Sequence, residues 1–274
     1  MVRAMSDGAL QGRTALITGA GSGLGAAFAR RLAADGALVT VNDLDSASAE
    51  AVASQVGGDS AVFDVSDSAS FDAHVDELVA RHGRLDIVVN NAGIAPRFDP
   101  ERFERTVANE MLRMEGRIDE MQPLGVLTSM SDHDWHRMLA VHLDGAFFGT
   151  RAALRHMQPA RSGVIVNIAS VLGLRPSGSA PHYSAAKAAI IALTKAAAEE
   201  VAPFGVRINA VCPGWVDTPL LSSYDHLAKG LITARIPMGR MATAEELAEL
   251  VRFLAGPESS YSTGDVYPAS GGYV

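Results

Sequence analysis

Two residues with complementary chemistry, Tyr183 and Lys187, lie four positions apart in an alanine-rich run over residues 182–201. This run predicts a helix, and residues four apart lie on one face of a helix. A phenol loses its proton at a pKa of about 10, and a cation held beside it lowers that pKa. The pair therefore predicts a general acid/base that works near neutral pH. The spacing alone is a weak signal, because it also occurs by chance on solvated helix faces.

A glycine-rich turn separates an apolar run, residues 14–18, from a helical pattern over residues 24–35. A second apolar run, residues 38–42, ends on Asp43. Glycines at such a turn let backbone amides approach a pyrophosphate at the helix N-terminus. An acid after the second strand accepts hydrogen bonds from ribose hydroxyls and repels a 2′-phosphate, so Asp43 predicts NAD rather than NADP. The predicted cofactor contacts of the turn itself are Gly19, Ser22, Gly23, Leu24 and Gly25.

Apolar runs of strand length alternate with helical patterns along the rest of the chain. The further strand-like runs are residues 60–63, 85–89, 163–168 and 207–211. Alternation of this kind predicts an α/β fold of the Rossmann type, a doubly wound parallel sheet with helices on both faces. Nothing in the sequence is typical of an interdomain linker. We therefore expect a flexible N-terminal arm, residues 1–12, followed by one catalytic domain, residues 13–274.

The composition excludes several classes of protein. The chain has 274 residues, of which 48% are hydrophobic and 20% charged, and its net charge is -8. No block of Lys or Arg stands out, so nucleic acid is not expected as the main partner. The N-terminus carries no apolar segment of the kind found in signal peptides, and Lys187 and Lys195 interrupt the longest apolar runs. We expect a cytoplasmic protein with no membrane span and no metal site, in which the single cysteine, Cys212, is a buried thiol.

Taken in order, these motifs resemble those of the short-chain dehydrogenase/reductase family in its compact single-domain form. The resemblance runs from about Gly12 to the C-terminus and is interrupted once. Each motif is weak by itself, but all of them occur in order on the expected strands and turns. The segments that carry it are TGAGSGLG at residues 18–25, Asp64-Val65, NNAG at residues 90–93, Ser170, YSAAK at residues 183–187, PGWVDT at residues 213–218, and Gly271-Gly272.

The resemblance implies a hydride transfer between NAD(H) and a secondary alcohol or ketone. In that scheme Tyr183 moves the proton to or from the substrate oxygen, and Ser170 places that oxygen. Lys187 lowers the tyrosine pKa and binds the ribose of the nicotinamide. The resemblance also implies a homo-oligomer, commonly a tetramer, packed through helices around residues 132–157 and 180–203. Further cofactor contacts implied in this way are Asp64, Val65, Asn91, Gly93, Val216 and Thr218.

One departure from the family pattern falls at His142. The family usually has an asparagine there, which helps to hold a water that connects the lysine to bulk solvent. A histidine can also accept and donate hydrogen bonds. We hypothesise that His142 keeps the proton relay and titrates near neutral pH. A purely structural histidine is equally consistent with the sequence.

A second departure is extra chain over about residues 95–127, following the NNAG segment. Apolar residues recur there at spacings of three and four, which predicts an amphipathic helix that starts after Pro100 and breaks near Gly116. Since this helical insertion leaves from the end of a strand, it starts beside the predicted cofactor cleft. Its role is open between a substrate lid, a subunit contact and core packing. The apolar residues are Phe103, Val107, Met111, Met114, Ile118 and Met121.

The segment Leu220 to Met241 is rich in apolar residues and is predicted to cover the substrate. Such a cover favours a hydrophobic alcohol or ketone over a sugar. The leading hypothesis is therefore an NAD-dependent dehydrogenase of secondary alcohols. An NADPH-dependent 3-oxoacyl or ketone reductase is an alternative that Asp43 disfavours. A catalytically silent nucleotide-binding regulator is favoured only by His142 and disfavoured by the retained Ser170 and Tyr183.

Overall fold

The computed structural model describes residues 8–222, 224 and 226–274. Its strands form one seven-stranded sheet in the order β3-β2-β1-β4-β5-β6-β7. Each pair of neighbouring strands is parallel, as the alternation of strands and helices predicts. The strands are β1 (Thr14–Ile17), β2 (Leu38–Asp43), β3 (Asp59–Val62), β4 (Ile87–Asn90), β5 (Gly163–Ile168), β6 (Val206–Pro213) and β7 (Val266–Ala269).

Helices connect the strands and cover the sheet. None of the helices in the described part of the chain is both long and apolar enough to cross a membrane. The helices are α1 (Gly23–Ala34), α2 (Ser46–Val56), α3 (Ser68–His82), α4 (Pro100–Met114), α5 (Asp132–Leu139), α6 (Gly145–Ala160), α7 (Val171–Leu174), α8 (Pro181–Val201), α9 (His226–Ala234) and α10 (Ala244–Ala255).

The core lies in two layers, one on each face of the sheet. On one face, α1, α2 and α10 pack with Phe28, Val52 and Val251 buried against the strands. On the other face, α3, α6 and α8 bury side chains that include Phe71 and Met157. Because both faces are covered, the central strands are buried along their length and read as unbroken apolar runs. This confirms the predicted doubly wound sheet.

The strand order reverses between β1 and β4, since β2 and β3 lie on one side of β1 and the later strands lie on the other. Loops that leave neighbouring strands in opposite directions separate at such a point and open a crevice. The glycine turn follows β1, and the NNAG segment begins at the end of β4. The fold therefore places both motifs beside one crevice.

Residues 8–12 form a turn that packs on the domain. The side chain of Leu10 is only 1% exposed, and its backbone N–H donates to the carbonyl oxygen of Asp35 at 3.1 Å. The prediction of a flexible arm over residues 1–12 is therefore wrong for this part, because an apolar side chain anchors it. The remainder of the predicted arm, residues 1–7, lies outside the described residues.

The insertion contains the predicted helix, which here is α4. Asp99 caps its first turn by accepting a backbone N–H, and Pro100 occupies its first position. The helix ends before Gly116, whose φ is +74°, so the predicted last apolar positions, Ile118 and Met121, lie beyond it. Asn109 is the buried residue of α4, and the apolar side chains of the helix are partly or fully exposed. Core packing, one of the three roles considered, is therefore wrong for α4.

Candidate active site

A cavity of about 700 Å³ lies at the carboxyl ends of the strands. The glycine turn, the ends of β2, β4, β5 and β6, and parts of α4 and α8 line it. The predicted site residues that line it are Gly19, Ser22, Gly23, Leu24, Asp43, Asp64, Val65, Asn91, Gly93, His142, Ser170, Tyr183, Lys187, Val216 and Thr218.

Gly25 is the predicted site residue that does not line this cavity. A Cβ at Gly25 would lie 2.4 Å from the carbonyl oxygen of Gly19 and 2.6 Å from Nδ2 of Asn91. The glycine therefore lets the start of α1 pack closely against the turn. Its role as a cofactor contact stays a prediction.

Three of the predicted catalytic side chains lie together at the wall of the cavity. The hydroxyl group of Ser170 lies close enough to that of Tyr183 to act on its pKa. Nζ of Lys187 lies 5.6 Å from the centroid of the Tyr183 ring and donates to the carbonyl oxygen of Ile168 at 2.6 Å. Ser170 follows β5, and its Oγ also accepts the N–H of Leu172 at 3.1 Å. It therefore caps α7 and faces Tyr183 at the same time.

Burial controls the protonation of this group. Burial raises the pKa of Tyr183 to about 12, although the hydrogen bond from Ser170 acts in the opposite direction. Burial also lowers the pKa of Lys187 to about 7. In the protein chain alone, loss of solvation moves the pKa of Tyr183 above its ordinary value, which is opposite to the direction predicted from Lys187. Tyr183 consequently carries its proton at neutral pH, as a general acid does.

His142 lies in a π-helical turn, Ala140–Asp144, between α5 and α6, and is 3% exposed. Nε2 is 3.1 Å from the backbone nitrogen of Ile94 and 3.0 Å from its carbonyl oxygen. The His142 ring meets the Tyr183 ring edge-on at a centroid distance of 5.2 Å. Burial, and then the charge of Lys187, hold the pKa of His142 well below its ordinary value. This direction opposes the hypothesis that His142 titrates near neutral pH.

Asp43 brings a negative charge to the glycine turn. Its Oδ2 accepts the N–H of Gly21 at 3.0 Å, and its Oδ1 accepts the N–H of Asp45 at 3.2 Å. The side chain is half-buried and lines the cavity. A carboxylate in this position can accept hydrogen bonds from ribose hydroxyls and opposes a 2′-phosphate.

Two predicted cofactor contacts also hold loops in place. Nδ2 of Asn91 donates to the carbonyl oxygens of Thr18 and Gly19, at 2.9 and 3.0 Å. Asp64 accepts the N–H and the hydroxyl of Ser66, at 2.8 and 2.7 Å. Both side chains therefore fix the shape of the turns that border the cavity, and both remain at its surface.

Aromatic side chains form a wall of the cavity that the sequence did not predict as a group. The ring centroids of Phe98 and Tyr224 are 4.5 Å apart, and those of Trp215 and Tyr224 are 6.5 Å apart. Phe103 on α4 lies 5.8 Å from Phe98. Of these four residues, Tyr224 belongs to the segment predicted as the substrate cover, and Phe103 belongs to the predicted helix. Phe98 precedes that helix and Trp215 lies in a loop, so no periodicity marks either of them.

A parallel sheet with a glycine turn, an acid after its second strand and a Ser–Tyr–Lys group at one edge is the architecture of a dinucleotide-dependent oxidoreductase. The chain belongs to the short chain dehydrogenase family, whose model matches residues 13–226. The family, fold and oxidoreductase predictions are thereby confirmed.

Individual relatives span nearly the whole chain. It is 37% identical over 266 residues to the cis-4-hydroxycyclohexanecarboxylate dehydrogenase of Sinomonas cyclohexanicum, covering 96% of each chain. It is 39% identical to the (5R,7aS)-5-hydroxy-7a-methyl-1-oxo-2,3,5,6,7,7a-hexahydro-1H-indene-carboxyl-CoA reductase of Mycobacterium tuberculosis, covering 96% of this chain and 94% of the relative. Its structure is similar to the 3-ketoacyl-(acyl-carrier-protein) reductase from Brucella melitensis complexed with NADH, with a TM-score of 0.83, 32% identity and coverage of 96% and 99%.

Proposed function

We propose that the protein is an NAD-dependent dehydrogenase that interconverts a secondary alcohol and its ketone, with Tyr183 as the general acid/base. The observation that carries this proposal is the grouping of Tyr183, Ser170 and Lys187 on one wall of a cavity that also holds Asp43. The similar structure from Brucella melitensis is described as a complex with NADH, which supports the same cofactor here.

The residues around the glycine turn fit a dinucleotide. Ser22, at the N-cap of α1, makes no side-chain capping bond, so the first backbone N–H groups of α1 remain available to phosphate oxygens. Gly19 and Gly23 have φ angles of +61° and +53°, which glycine adopts without strain. Bound NAD would supply or accept the hydride. Val216 and Thr218, which line the cavity near the turn, are proposed to contact the nicotinamide end.

The side chains of this protein supply the proton transfer and the positioning. The Tyr183 hydroxyl gives a proton to the ketone oxygen in reduction and accepts it from the alcohol in oxidation. Ser170 donates a hydrogen bond to the same substrate oxygen. One N–H of the Lys187 ammonium group donates to the carbonyl oxygen of Ile168. The other two have no partner among the described residues, and we propose that they bind the cofactor ribose and stabilise a tyrosinate. His142 is neutral and acts as a positioning residue for the Tyr183 ring.

The aromatic wall indicates which part of a substrate lies near Tyr183. Tyr224 is close enough to Tyr183 to contribute to its raised pKa, after burial and Cys212. The rings of Phe98 and Trp215 continue the wall from Tyr224. We therefore propose a ring-bearing hydrophobic alcohol as substrate. The name of the relative from Sinomonas cyclohexanicum, which describes an alcohol on a cyclohexane ring, supports this class.

The test is a spectrophotometric assay of NAD and NADP reduction with a panel of ring alcohols that includes cis-4-hydroxycyclohexanecarboxylate. Tyr183→Phe should lower kcat at least about 100-fold, because general acid–base catalysis contributes factors of this size. Tyr261→Phe is the matched control, since Tyr261 is fully exposed and does not line the cavity. NAD-linked turnover that survives in Tyr183→Phe would contradict the proposal. Turnover only with NADPH and a 3-oxoacyl thioester would support the alternative reductase function.

We also propose that the protein is a homotetramer packed through α5, α6 and α8. Phe147 on α6 supports this, because its side chain is 42% exposed with the guanidinium of Arg151 5.3 Å from its ring centroid. Sedimentation of wild type and of Phe147→Asp should show a tetramer that the variant weakens. A monomeric wild type would contradict the proposal.

A further inference from the structure

Four arginines line the cavity in the described part of the chain: Arg97, Arg102, Arg137 and Arg235. Two of them, Arg97 and Arg102, adjoin residues of the aromatic wall in sequence. Arg97 immediately precedes Phe98, Arg102 immediately precedes Phe103, and Arg235 follows α9. A hydrophobic substrate gives no reason for this positive charge.

Two of these arginines have carboxylate partners in the protein. Arg235 pairs with both carboxylate oxygens of Glu110 on α4. Nε of Arg102 lies 3.6 Å from Oδ2 of Asp99, and its Nη2 donates to Ser129 at 3.2 Å. The charges of both guanidinium groups are therefore at least partly balanced before any ligand binds.

Arg97 differs in this respect. Within residues 8–222, 224 and 226–274, no group forms an ion pair or hydrogen bond with its side chain. Arg137, on α5, is in the same situation. Of the two, Arg97 is the one joined to the aromatic wall, through the next residue, Phe98, whose ring packs on Tyr224. Next in sequence to the rings that lead to Tyr183, the chain thus carries a guanidinium that lines the cavity and has no partner within the described residues.

We propose that Arg97 binds an anionic group, a carboxylate or a phosphate, carried by the alcohol substrate. A guanidinium presents a planar fork of N–H donors that matches either anion, and such charge-assisted pairs are stronger than neutral hydrogen bonds. The aromatic wall would hold the apolar body of the substrate between this anion and the hydroxyl that meets Tyr183. The inference rests on the proposed function and names the substrate class of the same site.

The test compares cis-4-hydroxycyclohexanecarboxylate with its methyl ester, which has the same ring and hydroxyl but no charge. Arg97→Ala should lower kcat/KM for the acid by about 10–100-fold, the size of a hydrogen bond to a charged group, and leave the ester unchanged. Arg97→Lys should retain part of the preference for the acid, because it keeps the charge but loses the fork. Equal effects of Arg97→Ala on acid and ester, or none on either, would overturn the proposal.

A third substrate, the coenzyme A thioester of the same ring acid, identifies the source of the anion. It lacks the carboxylate but carries phosphates. A loss in Arg97→Ala confined to the free acid assigns the carboxylate, and a loss confined to the thioester assigns a phosphate. Arg113→Ala is the matched control, since Arg113 is exposed on α4, in the same insertion as Arg97, and does not line the cavity. An equal loss in Arg113→Ala would mean that the net charge of the insertion is responsible, and would overturn the assignment to Arg97.

A binding measurement separates this inference from the proposed function. Cyclohexanecarboxylate and cyclohexanecarboxamide are titrated into the wild type and Arg97→Ala, and the change in fluorescence of Trp215 is followed, with Trp135→Phe removing the second tryptophan. Tighter binding of the acid than of the amide in the wild type, lost in Arg97→Ala, supports the inference even if no alcohol is oxidised. Equal affinity of wild type and variant for the acid overturns it even if NAD-linked turnover is found.

Discussion

A Cβ atom at Gly93 would lie 2.4 Å from Cε1 of His142. The imidazole ring therefore occupies the space that the glycine leaves, and the next residue, Ile94, contacts Nε2 of the same ring. The backbone at Gly93 is not left-handed, so glycine is required there only because a side chain would not fit beside the His142 ring. The loop after β4 and the π-helical turn consequently fix each other, and the ring they hold lies against Tyr183.

Gly93→Ala should push the His142 ring toward Tyr183 and lower kcat by about 100-fold, since small displacements in an active site have effects of that order. The double variant with His142→Asn should recover part of the loss, because asparagine is shorter than histidine. The kcat values of the wild type, the two single variants and the double variant together form a double-mutant cycle. Unchanged kcat in Gly93→Ala, with normal circular dichroism, would show that the contact does not matter for turnover.

The protonation of His142 leads to a prediction about pH. Because burial and the charge of Lys187 hold its pKa well below the ordinary value, His142 stays neutral across the range in which the enzyme works. His142→Asn should therefore change the height of the pH–rate profile but not its shape between about pH 6 and 9. A limb of the wild-type profile that disappears in His142→Asn would show that this histidine titrates during turnover.

The raised pKa of Tyr183 predicts opposite pH dependences for the two directions of the reaction. Oxidation needs Tyr183 to accept a proton, and burial raises its pKa to about 12. Below that pKa the basic form increases about tenfold per pH unit, so kcat/KM for oxidation should rise with pH from about pH 7 to 9. Reduction needs the protonated form, which is already dominant, so its kcat/KM should stay flat or fall over the same range. Oxidation that slows as pH rises would contradict this assignment.

The sequence predicts the sheet well where strands are buried on both faces, since β1, β4 and β5 are mainly apolar runs of strand length. It does not predict β7, whose four residues include Pro268, and a proline is tolerated there because β7 is an edge strand. The π-helical turn at His142 was also not predicted, because nothing in the apolar pattern around it marks a single turn of wider helix.

The site residues were predicted by motif, but their electrostatics were not. The pairing of Tyr183 and Lys187 follows from helical spacing, whereas the direction of their pKa shifts depends on burial, which depends on the whole fold. The charge at Arg97 is visible in the sequence. The sequence does not show that Arg97 lines the cavity without a carboxylate partner in the described residues. Such partners come from distant segments, as Glu110 does for Arg235.

Asp43 predicts the choice of cofactor. Asp43→Ala should lower kcat/KM with NAD and raise it with NADP, shifting the ratio by about 10–100-fold, because a charged hydrogen-bond partner is lost and a repulsion is removed. Asp43→Asn is the matched variant, since an amide oxygen can still accept the N–H of Gly21 but carries no charge. It should keep the shape of the glycine turn and shift the ratio in the same direction. An unchanged ratio in both variants would contradict the role of Asp43.

The ion pair between Glu110 on α4 and Arg235 beyond α9 joins the insertion to a second segment that lines the cavity. If the insertion acts as a lid, Glu110→Gln should raise KM up to about fivefold with kcat unchanged, because an exposed ion pair is worth at most about 1 kcal/mol. The effect should shrink at high salt, which screens exposed charges. The uncharged methyl ester is the substrate to use, since a freed Arg235 could otherwise attract an anion. Glu115→Gln is the control, because Glu115 pairs with Arg117 within the insertion. A change in KM of Glu110→Gln that does not depend on salt would contradict a role of the Glu110–Arg235 ion pair in closing the cavity.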